Sequence, residues 1–204
     1  MNDLKCGFVL IPDYRTVQEA IKLSRAVQDN KLMLGENSAT PHLTVLQTTF
    51  KAGFDYKAAL KDLRTYRGFN FEPRSSMGAV TLHTNILLKS FIYWEVKNAE
   101  WLNSFNRDLI HAYEHEIVKP ADAGSHDFKS SAIEESYRRT GYEYNLEAYE
   151  PHLTLAVTDN DVILPKAPKT ADFIRFRELA FVENGEFGEI KRILASESLP
   201  ISWE

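Results

Sequence analysis

The chain has 204 residues, 44% of them hydrophobic, and its 24 Lys and Arg against 29 Asp and Glu leave a formal net charge of −5. That length suffices for one large domain or two intimate lobes around a buried core. The acidic balance argues against a broad grip on long duplex nucleic acid, which rests on many Lys and Arg contacts to phosphates, and the lone Cys6 excludes an internal disulfide or a thiolate metal cluster.

No apolar run approaches the roughly 20 residues of a spanning helix. Met1-Asn2-Asp3-Leu4-Lys5 has neither the basic nor the apolar part of a secretion signal. A cytoplasmic protein without a membrane partner is expected, and a monomer is favoured.

The first element is a short apolar run from Cys6 to Ile11, ended by Pro12-Asp13, which predicts a buried strand with Cys6 as a core residue. Over 16–31, Val17, Ala20, Ile21 and Val27 recur at helical spacing while Gln18, Glu19, Lys22 and Arg25 take the other face. Gly35-Glu36-Asn37-Ser38 reads as a loop. Tyr56, Leu60 and Leu63 mark a second helix with Lys57, Lys61 and Asp62 outside. Strands are predicted over 78–82 and 86–96, where Tyr93, Trp94 and Val96 add β-propensity.

Trp101, Phe105, Leu109 and Ala112 make 99–118 the longest amphipathic helix, stopped by Pro120. The segment 122–126 is loop-like, and a short polar helix over 127–139 ends at Gly141. Strands over 173–182 and 187–194 flank Asn184-Gly185, a hairpin signal.

Between these elements one phrase occurs twice. Pro41-His42-Leu43-Thr44-Val45-Leu46-Gln47-Thr48 returns 110 positions later as Pro151-His152-Leu153-Thr154-Leu155-Ala156-Val157-Thr158, with five of eight positions identical. Strand alternation puts His42, Thr44 and Thr48 on one side and Leu43 and Val45 on the other, and the second copy matches with His152, Thr154 and Thr158. Each copy offers one imidazole and one hydroxyl to one surface. Two lobes related by a pseudo-twofold axis would bring both surfaces to one cleft.

Two histidines there can act as base and acid on a phosphodiester, since imidazole populates both forms near neutrality. Thr44 and Thr154 can donate to the non-bridging phosphate oxygens. One such motif is commonly just a strand start. Two copies carry the inference.

The paired His-Leu-Thr segments resemble the H-x-T/S-x signatures of the 2H phosphoesterase superfamily, with its 2′-5′ RNA ligase-like and cyclic phosphodiesterase branches. The layout of the first strand and helix, and of the closing 181–188 hairpin leading to Ile193-Leu194-Ala195, is similar too. The resemblance covers most of the chain, with 119–145 standing out as an insertion.

It implies an α+β fold in which 1–204 forms one bilobal domain, two antiparallel sheets lining a central cleft with helices outside. One lobe would carry 41–48 and the other 151–158. His42 and His152 would be the catalytic histidines, and Thr44 and Thr154 the phosphate-binding hydroxyls, with no metal or cofactor. The expected substrate is a small nucleotide or short oligonucleotide carrying a 2′,3′-cyclic phosphate or a 2′-5′ or 3′-5′ linkage.

Substrate contacts beyond the phosphate are expected from the aromatic and cationic residues upstream of the second motif, Arg138, Tyr142 and Tyr144 foremost, because bases stack on aromatic planes. Two other function classes compete. A binding or sequestering module would keep the cleft without turnover, although it has no need of two proton-transfer groups. A zinc hydrolase could use His111 and His115, four apart on a helix, but no third ligand is evident and Glu114 does not fit H-E-x-x-H. His83 and His126 read as surface residues.

Overall fold

The computed structural model describes residues 4–35, 39–66, 75–84, 90–121, 127–159, 162–167 and 173–199. The expected loop at 122–126, with His126, lies outside the described residues.

Period-2 alternation in the opening run gives β1 (Leu4–Pro12), with Cys6, Phe8 and Leu10 in the main core and Val9 and Ile11 on the opposite face. Six further strands follow: β2 (Leu43–Phe50), β3 (Ser76–Thr84), β4 (Ser90–Lys97), β5 (His152–Thr158), β6 (Phe176–Asn184) and β7 (Ile190–Ser198). They form one seven-stranded sheet in the order β3-β4-β5-β2-β1-β6-β7, antiparallel at every pairing.

The α+β class is as expected, but the two sheets are joined into one. β2 and β5 meet at a single register pair, Leu43↔Leu153, and diverge beyond it. The two copies of the repeat therefore sit side by side at the centre of the sheet.

Divergence leaves a row of strand carbonyls without ladder partners, and buried carbonyls must find donors. Side chains supply them. Along β2, the Tyr149 hydroxyl donates to Thr44 O (2.9 Å), the Asn106 carboxamide to Val45 O (2.6 Å) and the Asn145 carboxamide to Gln47 O (3.0 Å). Farther along, Val118 N donates to Thr49 O. Along β5, the Asn30 carboxamide donates to Leu155 O (3.4 Å) and accepts from Val157 N (3.1 Å).

The helices bury their apolar stripes in the main core. α1 (Tyr14–Arg25) is capped by the Asp13 carboxylate, which accepts from Thr16 N at 2.8 Å. It stops well before 31, because Asn30 turns back to bond Ser24 and β5 instead of continuing the helix. α2 (Tyr56–Leu63) has its cap at Asp55.

α3 (Glu100–Tyr113) places Leu102, Phe105, Leu109 and Ile110 inside. It gives way to a 3-10 turn at Glu114–Glu116, and Ile117 bridges to Phe50, so the expected extension to 118 is spent covering the edge of β2. α4 (Ser131–Thr140) ends at Gly141, whose φ of 68° suits glycine. Among the described residues no helix is long and apolar enough to cross a membrane.

The last hairpin departs from a two-residue Asn-Gly turn. Five residues, 185–189, connect β6 to β7. Gly185 N donates to Glu189 O, Phe187 N donates to the Glu189 carboxylate at 2.8 Å, and the positive φ falls on Gly188.

Candidate active site

Both copies of the repeat contain the same irregularity. Phe8 pairs with Leu46 and Val9 with Thr44, so Val45 is an extra residue in β2. Ile92 pairs with Ala156 and Tyr93 with Thr154, so Leu155 is an extra residue in β5. Val45 and Leu155 occupy equivalent positions in the repeat, and each bulge carbonyl is met by an asparagine, Asn106 in one case and Asn30 in the other.

A bulge reverses the facing of every residue after it. Thr48 and Thr158, expected beside the histidines, are therefore turned away. Thr48 is buried and bonded to the carbonyl of Thr140, Thr158 is fully buried, and in the first copy Gln47 lines the cavity instead. Plain strand alternation missed the bulges because no residue type marks them.

Before the bulges, Thr44, Thr154 and His152 line one cavity of about 450 Å³ on the sheet face away from the main core; His42 is not part of that lining, but it is near enough for its charge to bear on His152. The two histidines are held alike. The Nδ1 of His42 lies 2.8 Å from Thr40 O and that of His152 2.6 Å from Glu150 O, each a carbonyl two residues upstream. A carbonyl only accepts, so each Nδ1 carries the hydrogen; the Nε2 of His152 is left for chemistry, while His42 has a second carbonyl beside it, that of Gly188.

Their electrostatics differ. Burial pushes His152 down to about 4, helped by the neighbouring His83 and His42 and opposed by the Glu150 carbonyl. His42 is also lowered by burial. Its imidazolium is supported by the carbonyls of Thr40 and Gly188 and by the Glu189 carboxylate. The closing hairpin thus contributes to one histidine and not to the other.

The cavity has two unlike ends. At the β3-β4-β5 end, Tyr93 stacks on His152 with ring centroids 3.6 Å apart and planes 17° apart, and His83 meets Tyr93 at 4.7 Å with the rings tilted by 31°. Phe91, Tyr142 and Tyr144 complete this wall, the two tyrosines meeting edge to face at 5.9 Å. Burial pushes the phenols of Tyr93 and Tyr142 well above the usual range, so both remain protonated donors. At the β2-β1-β6 end the lining is Lys5 and Gln47, with Glu186, Phe187 and Gly188 of the hairpin above.

The surface reading of His83 is corrected here: β3 returns beside β4 and sets His83 against Tyr93, a pairing that nothing local in the sequence reveals. Tyr142 and Tyr144 reach the cavity as expected. Arg138 does not, because α4 turns it outward, where it bonds Glu134 one turn back at 2.7 and 2.9 Å.

The remaining candidates lie elsewhere. His111 and His115 line a separate depression with Lys51, Glu114 and Lys119. Arg139 and Lys119 bond Glu114 and hold its carboxyl below the usual range, and among the described residues no group of three His, Cys, Asp or Glu could hold a metal. Cys6 is buried, and burial raises its thiol to about 11, far from a thiolate nucleophile.

A crystal structure described as that of a phosphoesterase superposes on the chain with a TM-score of 0.52, covering 96% of this chain and 98% of that one at 11% identity. The chain shares that fold. No protein-family model matches the sequence, and no curated protein does so either.

Proposed function

We propose that the protein is a 2H-type phosphodiesterase, a hydrolase that cleaves a cyclic phosphate or an internucleotide linkage in a small nucleotide by two-histidine acid–base catalysis. The observation that carries the reading is the matched pair of imidazoles. Each is fixed through Nδ1 to the carbonyl two residues upstream, and the first hydroxyls of both repeats line one cavity together with His152. The phosphoesterase fold supports it at a coarser level.

His152 is the base in this reading. Its lowered pKa keeps it neutral down to about pH 4, with the Nε2 lone pair available to take a proton from water or a ribose hydroxyl. His42 is the acid in this reading: burial lowers it too, but the Thr40 and Gly188 carbonyls and Glu189 oppose that lowering. Bound phosphodiester monoanion raises both histidines further toward protonation. Thr44 and Thr154 donate to the non-bridging oxygens as charge builds there, and Nε2–H of His42 delivers its proton to the leaving oxygen.

The test is turnover of a panel of 2′,3′-cyclic phosphates and short 2′-5′- and 3′-5′-linked oligonucleotides, with products read by mass spectrometry. Activity should persist in chelator and vanish in the double variant His42→Ala/His152→Ala. Full activity in that variant defeats the proposal, and tight binding with unchanged ligand after long incubation would favour a sequestering module instead.

A further inference from the structure

Among the described residues of the sheet, Thr81 Oγ1 and Trp94 Nε1 are buried without a hydrogen-bond partner, and Asn184 is so at both of its side-chain polar atoms. Asn184, the last residue of β6, is only 8% exposed, yet neither its Nδ2 nor its Oδ1 has a hydrogen-bond partner among the described residues. A carboxamide buried without partners costs roughly 1–3 kcal/mol, so its place in the sheet asks for a reason.

Register supplies the location. Cys6 pairs with Glu183, so Asn184 stands one step past the last register pair of β1 and β6, toward Lys5. Its Nδ2 leans over Gly7, lying 3.3 Å from where a Cβ there would stand, and Gly7 pairs on its other side with Gln47. Lys5 and Gln47 both line the cavity. Glycine at 7 leaves the floor bare between the two carboxamides, and a methyl group there would also meet the Leu46 carbonyl at 2.6 Å.

We propose that Asn184 and Gln47, with Lys5 at their edge, form a subsite for the hydrogen-bonding edge of a nucleobase. The subsite rests on the two-histidine reading and deepens it. Each carboxamide presents a donor beside an acceptor. A phosphate offers acceptors only, so the carboxamide oxygens would face its lone pairs unmatched. A base edge offers both in one plane, the complementarity by which Asn and Gln read bases elsewhere.

Stacking surface is already concentrated at the opposite, aromatic end, across the His-Thr pairs. A nucleoside on each side of the scissile phosphate fills both ends, whereas a cyclic phosphate on one nucleoside fills only one. The site is therefore specific for the junction between two nucleosides.

The test compares a dinucleoside monophosphate, in 2′-5′ and 3′-5′ forms, with the 2′,3′-cyclic phosphate of the same nucleoside. In Asn184→Leu and Gln47→Met the ratio of kcat/KM for dinucleoside over cyclic substrate should fall about tenfold or more, carried by KM. Asn184→Leu should keep or raise the melting temperature, because it removes an unserved polar group. A lowered melting temperature with equal losses on both substrates makes Asn184 structural and overturns the subsite, as does an unchanged ratio. Should wild type turn over neither substrate, the two-histidine reading falls by itself. Calorimetric binding of the dinucleoside monophosphate then decides the subsite: weaker binding by Asn184→Leu supports it, and equal or absent binding removes it.

Discussion

The two halves of the sheet carry the same eight-residue phrase and surround it differently. On the β3-β4-β5 side the second histidine stacks on Tyr93, which His83 also meets at a tilt, and burial lowers its pKa to about 4. On the β2-β1-β6 side the first histidine adjoins a hairpin whose carbonyl and carboxylate favour its cation. The repeated segments account for the likeness of the two His-Thr pairs. In the proposed reaction, the division of labour between base and acid would come from what is not repeated.

The largest effect tests that division directly. Proton transfer by one positioned histidine is worth about a hundred- to ten-thousand-fold. His152→Ala should lose activity of that order on every substrate, because the nucleophile must always be deprotonated. His42→Ala should lose as much on a natural leaving group and recover most of it on a p-nitrophenyl phosphodiester, whose leaving group needs no proton. Equal recovery by both variants, or recovery by His152→Ala alone, would break or reverse the assignment.

Next in size is the support beneath the two bulges. Asn106 is fully buried, donates to Val45 O and accepts from Leu146 N (2.9 Å), and it also bonds Asn145. Asn30 serves Leu155 from a half-exposed position where water can substitute. Asn106→Ala should cost about 2–3 kcal/mol in urea unfolding, since it strands buried partners, and Asn30→Ala about 1 kcal/mol. Equal costs would mean that the two halves are held alike.

These supports also show what the sequence could not reveal. The repeated His-Leu-Thr, the strand at Cys6, the Phe105 and Leu109 part of the helix stripe, and the Gly141 stop were all legible, because each is written in spacing within one segment, whereas Ala112 of that stripe is exposed. Thr48 and Thr158 misled because a bulge leaves no residue signature and turns everything after it around. His83, Asn106 and Gln47 were invisible as site or support residues, since their roles depend on segments far away in sequence. Arg138 had the right chemistry, but its partner was one helical turn away.

A smaller effect concerns pH. His152 is held near 4 and His42 below its ordinary 6.5, so kcat/KM should rise as pH climbs through about 4, where the base loses its proton. It should fall again as His42 gives up its own, leaving an optimum on the acid side of neutrality. Glu189→Gln removes a negative charge that supports the His42 cation, and the amide oxygen can still accept from Phe187 N. The upper limb should move to lower pH by a few tenths of a unit while the lower limb stays. Movement of the lower limb instead would place Glu189 over the wrong histidine.

The smallest expected effect is the sharpest check on where the cavity ends. Arg138 and Glu134 are an exposed pair one helical turn apart, 53% and 41% accessible at their side chains, and such pairs contribute about 0.3–0.5 kcal/mol. Arg138→Ala should therefore shift unfolding by no more than that and leave KM for every phosphodiester within twofold. Tyr142→Ala, one turn past the same helix, should raise KM about tenfold through the lost stacking surface. A KM rise in Arg138→Ala matching that of Tyr142→Ala would mean that α4 swings its outer face over the bound substrate, and the aromatic end would then be a closing jaw instead of a fixed wall.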